Sequence, residues 1–127
     1  MILTANFNPL SDTKLLCTCG HKGCDQRSVN QKTLNMLQDV RWHIKRPMVI
    51  TSGGRCPNHP NEVNRAIPAD HQKQQGVDVA IVGGLERGEI VSNGIAAGFN
   101  AIGVAKTFIH LGYRPELPEG KVIMWTY

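Results

Sequence analysis

The residues of this chain best suited to chemistry are Arg55, His71, Asp78 and His110. Two imidazoles and one carboxylate form a three-ligand set for Zn2+ that leaves a fourth position free for water, whereas structural zinc sites close all four positions, mostly with Cys and His. Arg55 follows Ser52-Gly53-Gly54, a turn that would carry its side chain off the end of a strand. A permanently charged guanidinium there could hold a carboxylate at two points or stabilise a developing oxyanion. Each residue also has an ordinary structural role open to it: His110 as a packed core histidine, Asp78 as a solvent-facing or ion-paired acid, Arg55 as a cap on turn carbonyls.

A second cluster occupies residues 17–24, CTCGHKGC, in which Cys17, Cys19, His21 and Cys24 are zinc-ligand types. The C-x-C spacing is too tight for a standard knuckle, while Cys19 and Cys24 have the usual gap. A structural metal and packing cysteines, reduced or disulfide-linked, both fit this pattern, and an even cysteine count does not by itself fix the redox compartment. Cys56 as a nucleophile lacks a specified acid partner or an activated thiolate. His21, His43 and His59 have no companions like those of His71 and read as surface or supporting residues.

The elements that must position these groups follow from periodicity and turn chemistry. Val29, Leu34, Met36, Leu37, Val40 and Ile44 predict a helix over 30–44, capped by Asn30 or Ser28 and stopped by Lys45-Arg46-Pro47. The apolar, β-branched run 48–51 predicts a buried strand. Pro57, Pro60 and Pro68 prevent one long helix and leave a helical turn at 61–65. Residues 76–82 read as a strand with Val77, Val79 and Ile81 on one face and Asp78 and Ala80 on the other. A helix is expected over 85–98, weakened at Gly94 by roughly 1 kcal/mol relative to Ala and ended by Gly98. Strands at 101–105, 107–111 and 121–127 complete the order, and Phe108, His110 and Gly112 share one face of the middle one. Residues 1–27 are irregular and wrap one end. The expected fold is α+β, a small mainly antiparallel sheet with two main helices, built as a single domain over 1–127.

Hydrophobic residues at 41% and charged residues at 19% describe a soluble globule. No apolar run approaches the roughly 20 residues of a membrane helix, so no membrane insertion is expected. The start, MILTANFNPLSDTK, lacks the basic leader and apolar core of a secretory signal, giving an expectation of synthesis in the cytoplasm. A net charge of +4 suits an anionic partner, but Lys and Arg are spread along the chain without a basic block. That argues against nucleic acid and in favour of cell-wall polymer.

The motifs taken together resemble the zinc D-alanyl-D-alanine carboxypeptidase family, in particular the small phage and bacterial branch whose metal-site fold is shared with the Hedgehog signalling domain. That branch reads approximately S-G-Y-R-C/S-P, S-x-H-x-x-G-x-A-x-D, F-V-H-V-D and W-x-Y. The corresponding stretches are Ser52-Gly53-Gly54-Arg55-Cys56-Pro57, Ala69-Asp70-His71 through Asp78, Phe108-Ile109-His110, and Trp125-Thr126-Tyr127, collinear from about residue 28 onward. The resemblance implies zinc held by His71, Asp78 and His110, and Arg55 against the substrate's carboxylate or carbonyl oxygen. It further implies a metallopeptidase acting on peptidoglycan stem peptides next to a D-amino acid, with direct attack by zinc-activated water and no covalent intermediate.

The chain departs from that pattern at Ala69, at Asn64-Arg65 and at Gln74, which stand where the family has Ser, Gly-Gly and Gly. The family also places a carboxylate just before the last histidine or two residues after it, and here those places are Thr107 and Gly112. A peptidase without its general base loses a factor of about 10² to 10⁴. Asp70, Glu86 and Glu89 are the nearest alternatives, and the sequence assigns the role to none of them. The same absence motivates a second expectation: a catalytically degenerate module that keeps the fold for binding or assembly, with virion or secretion partners.

Overall fold

The computed structural model describes residues 1–127. Helix α1 (Gln31–Ile44) begins where Asn30 Oδ1 accepts the Thr33 N–H at 2.8 Å, so Asn30 is the cap. It ends at Lys45 in the left-handed region, with φ 58°. Helix α2 (Gly83–Ala97) starts two residues earlier than its apolar pattern suggests, because Glu86 in its first turn reaches back to accept the Val82 N–H. Gly98, with φ 110°, closes α2 as expected.

Five strands form one sheet: β1 (Ile50–Ser52), β2 (Gly76–Ala80), β3 (Ala101–Val104), β4 (Phe108–Gly112) and β5 (Ile123–Thr126), in the order β1-β2-β4-β3-β5. Every pairing is antiparallel except β3 with β5. The fold is therefore α+β with a mostly antiparallel sheet, as expected. β1 starts later than the apolar run 48–51 because Val49 is exposed, and Cα pairing with β2 begins with Ile50 opposite Val79. No helix is long and apolar enough to cross a membrane.

One face of the sheet is apolar. Val77, Val79, Ile102, Ile109 and Leu111 are buried in a core with Leu34, Leu37 and Val40 of α1 and Ile90 of α2. Strand alternation then sends Asp78 and His110, directly opposite each other in the β2–β4 register, to the other face. Gly94 has a packing role that the sequence pattern hides: a Cβ there would lie 2.6 Å from Leu111 Cδ2, so glycine lets α2 sit against β4.

The segment before α1 is packed onto the turn that carries Arg55. A Cβ at Gly53 would lie 2.7 Å from Leu15 Cα, and one at Gly54 would lie 2.8 Å from the Arg27 carbonyl carbon. The Gly54 N–H donates to Leu15 O, the Cys17 N–H donates to Arg27 O, and Leu16 bridges Ser28. Two backbones in such close contact exclude any side chain between them, which explains the paired glycines.

Candidate metal centre

His71 lies in the loop before β2, and the fold brings it to Asp78 and His110. One ligand atom from each falls within 4.8 Å of the others, and all three residues are buried. His71 Nε2 is 3.3 Å from Asp78 Oδ1, and His110 Nδ1 is 2.9 Å from the same oxygen. The first spacing matches the edge of a tetrahedron with bonds of about 2.0 Å, roughly 3.3 Å.

Each imidazole has its other nitrogen occupied. His71 Nδ1 donates to the Gly53 carbonyl at 2.7 Å, which fixes the tautomer and leaves the Nε2 lone pair for a ligand. His110 Nε2 lies 2.8 Å from Asp70 Oδ2, leaving Nδ1 on the Asp78 side. Histidine metal ligands are ordinarily oriented by such carbonyl and carboxylate contacts. Two nitrogens, one carboxylate oxygen and these supports fit zinc with a position left for solvent.

The electrostatics are those of charges confined away from water. Burial raises the Asp78 carboxyl, but the imidazoles of His110 and His71 beside it more than offset this and hold the group well below the usual carboxylate range. Asp70 is lowered likewise, against its burial, by His110 and Arg114. For His110 burial favours the neutral ring, yet the two carboxylates beside it, Asp70 and Asp78, raise its pKa above the ordinary value.

Asp70 is the residue whose role the sequence hides. Its neighbour position to His71 suggests that it points away, but the turn that ends with Gln74 at φ 64° directs both side chains inward. A Cβ on Gly112 would meet His110 Nε2 at 2.8 Å and the Asp70 carboxyl carbon at 3.0 Å. The Asp70 carboxylate thus fills the space beside His110 that the absent side chain of Gly112 leaves open. Arg114 pins it, with Nε 2.8 Å from Asp70 Oδ1. Asp70→Ala is expected to weaken zinc binding by about 10- to 100-fold, the usual cost of removing a residue that orients a ligand. Competition against a chromophoric chelator measures this, and unchanged affinity would mean that His110 needs no such support.

Arg55 reaches the same centre. Its Nη2 is 3.4 Å from Asp78 Oδ2, its Nη1 3.3 Å from Glu62 Oε2 and its Nε 3.1 Å from Ser52 Oγ. Glu62 is almost fully buried in the turn at 61–65, and no periodicity in that proline-bounded loop marks it beforehand. Glu86 and Glu89 both pair with Arg46 instead of approaching the histidines, which removes them as base candidates.

Around the centre lies a cleft of about 380 Å³ whose lining includes Arg55, Arg65 and Arg114 together with Phe108, Trp125 and Tyr127. The aromatic side follows from Gly103, where a Cβ would stand 2.8 Å from both Trp125 Nε1 and the Tyr127 hydroxyl. With no side chain on β3 at that point, Trp125 leans to within 5.5 Å of the His110 ring and Tyr127 to within 5.1 Å of Phe108.

Of the remaining candidates, His43 is exposed and contacts its own helix at Asp39 O, and His59 accepts the Asn61 N–H. His21 does not join the cysteines: its Nδ1 accepts the Gly23 N–H, and the fourth member of the cluster is Cys56. All four cysteines are free thiols, so disulfide-linked packing does not hold, and Cys56 is buried among thiols without an imidazole to activate it.

A family model described as Peptidase M15 matches residues 7–112 of the chain. No curated protein and no solved structure matches it.

Proposed function

The chain belongs to the M15 peptidases, the family of the zinc D-alanyl-D-alanine carboxypeptidases, and from that premise we propose that it is a peptidoglycan hydrolase cleaving stem-peptide bonds next to a D-amino acid. The observation that carries this reading is the convergence of His71, Asp78 and His110 beside Arg55 at the floor of one cleft. Zinc held by those three residues would supply a Lewis acid and a water with its pKa lowered toward about 7.

The chain's own groups divide the remaining work. Arg55, fixed by Glu62 and Ser52, presents a permanent positive charge beside Asp78 and suits a carbonyl oxygen gaining negative charge. Arg65 and Arg114 give the same cleft further cations, which suits a peptide ending in a carboxylate. Phe108, Trp125 and Tyr127 offer an apolar wall for a small methyl side chain such as that of D-alanine.

One observation favours the second reading, a binding or assembly module of a virion or cell-wall apparatus. Both carboxylates that line the cleft are engaged, Asp70 by His110 and Arg114 and Asp78 by His71, His110 and Arg55. Neither is free to take a proton from attacking water, so the general base stays unassigned. Incubating zinc-loaded protein with purified muropeptides and reading the products by mass spectrometry separates the two. A chelator-sensitive fragment that has lost D-alanine, or a stem opened beside a D-residue, is the expected result. An unchanged muropeptide profile would sink the hydrolase reading and leave the binding one.

A further inference from the structure

We propose that Cys17, Cys19, Cys24 and Cys56 form a second, structural zinc site that clasps the segment before α1 to the turn carrying Arg55. The four sulfurs come from two parts of the chain and lie within 4.8 Å of one another. Cys19 Sγ and Cys56 Sγ are 3.6 Å apart, far beyond a disulfide bond of about 2.05 Å. The spacing is close to the edge of a tetrahedron with zinc–sulfur bonds of about 2.3 Å, roughly 3.8 Å. Four free thiols are the donor set of a closed structural site, in contrast to the three-ligand centre in the cleft.

One backbone N–H points at the cluster. The Gln26 N–H donates to Cys24 Sγ at 3.3 Å. Arg27, paired with Asp25, lies near enough to Cys56 and Cys17 for its charge to reach them. Supports of this kind tune sulfur ligands as carboxylates tune histidines.

The position of the cluster gives it a task. Cys56 directly follows Arg55, and Gly53, whose carbonyl holds His71 Nδ1, lies on the same turn. Gly54 is tied to Leu15, and Cys17 to Arg27. An ion shared by Cys56 and the three cysteines of the 17–24 loop would cross-link this layer. It would hold Arg55 and the His71 support in place from behind the cleft, with no contact to substrate.

The test counts metal in protein purified with zinc and kept reduced. Elemental analysis is expected to give two zinc ions per wild-type chain, and one in the His71→Ala/His110→Ala double variant. With Co2+ in place of zinc, that double variant should show the intense thiolate-to-cobalt absorption of a tetrahedral sulfur site, and its four cysteines should resist alkylation until a chelator is added. This arm does not depend on any cysteine variant folding, and it reads the sulfur site whether or not the cleft binds metal. A double variant that holds no metal, shows no sulfur–cobalt band and is alkylated at once overturns the proposal, as does intact-mass evidence that the cysteines pair as disulfides in the purified chain.

Discussion

His71→Ala and His110→Ala are each expected to lower the zinc content by one ion per chain and to abolish any metal-dependent cleavage, because neither leaves more than two ligands at the centre. They should differ in stability. Removing His110 leaves Asp70 and Asp78 buried without the imidazole that lies between them, and breaking a buried charge pair in this way typically costs about 3–5 kcal/mol. Removing His71 forfeits the bond to Gly53 and one of the contacts to Asp78, but leaves the closer His110 contacts with both carboxylates in place. Elemental analysis with urea denaturation of chelator-treated protein reads both effects. Zinc content equal to wild type in both variants would refute the ligand assignment, and equal destabilisation would refute the account of how Asp70 and Asp78 are neutralised.

Arg55→Lys is expected to leave zinc bound and the fold intact while lowering kcat by about 10² to 10³, the range seen when one preorganised donor to an oxyanion is lost. Lysine keeps a positive charge near Glu62 and Asp78, so neither acid is stranded, but it cannot reproduce the guanidinium fork that spans Ser52, Glu62 and Asp78. Arg55→Gln is a poorer probe, since it strips the nearly inaccessible Glu62 of its main cation and threatens folding. Turnover of a defined muropeptide by the lysine variant within a few-fold of wild type would show that Arg55 braces Glu62 and Asp78 without serving substrate.

Local pattern made much of this arrangement legible in the sequence. The apolar repeat from Leu34 to Ile44 marks α1 because it packs one stripe on the core, and the alternation around Asp78 places that acid opposite the buried Val77 and Val79. The family resemblance singles out His71, Asp78, His110 and Arg55, and the fold brings the four into one cleft. What stayed hidden depends on contacts between distant segments. Asp70 could not be recognised as the partner of His110 without the space left by Gly112. Cys56 could not be grouped with the cysteines of the 17–24 loop before the Gly53-Gly54 turn was seen packed on Leu15 and Arg27. Gly94 reads as a helix weakener and Gly103 carries no signal in the pattern, yet each is a point of close approach, to Leu111 and to Trp125 and Tyr127 respectively.

The sheet's margin bears on selectivity. β5 has a single neighbour, none of its residues is buried, and it lies beyond residue 112, where the family match stops. Yet Trp125, on this strand, lines the cleft beside His110, with Tyr127 just past its end. Re-cutting that border would change which molecules gain entry while sparing the core and the inner pair of strands that carries Asp78 and His110, so recognition and reactivity would be separately tunable in this fold.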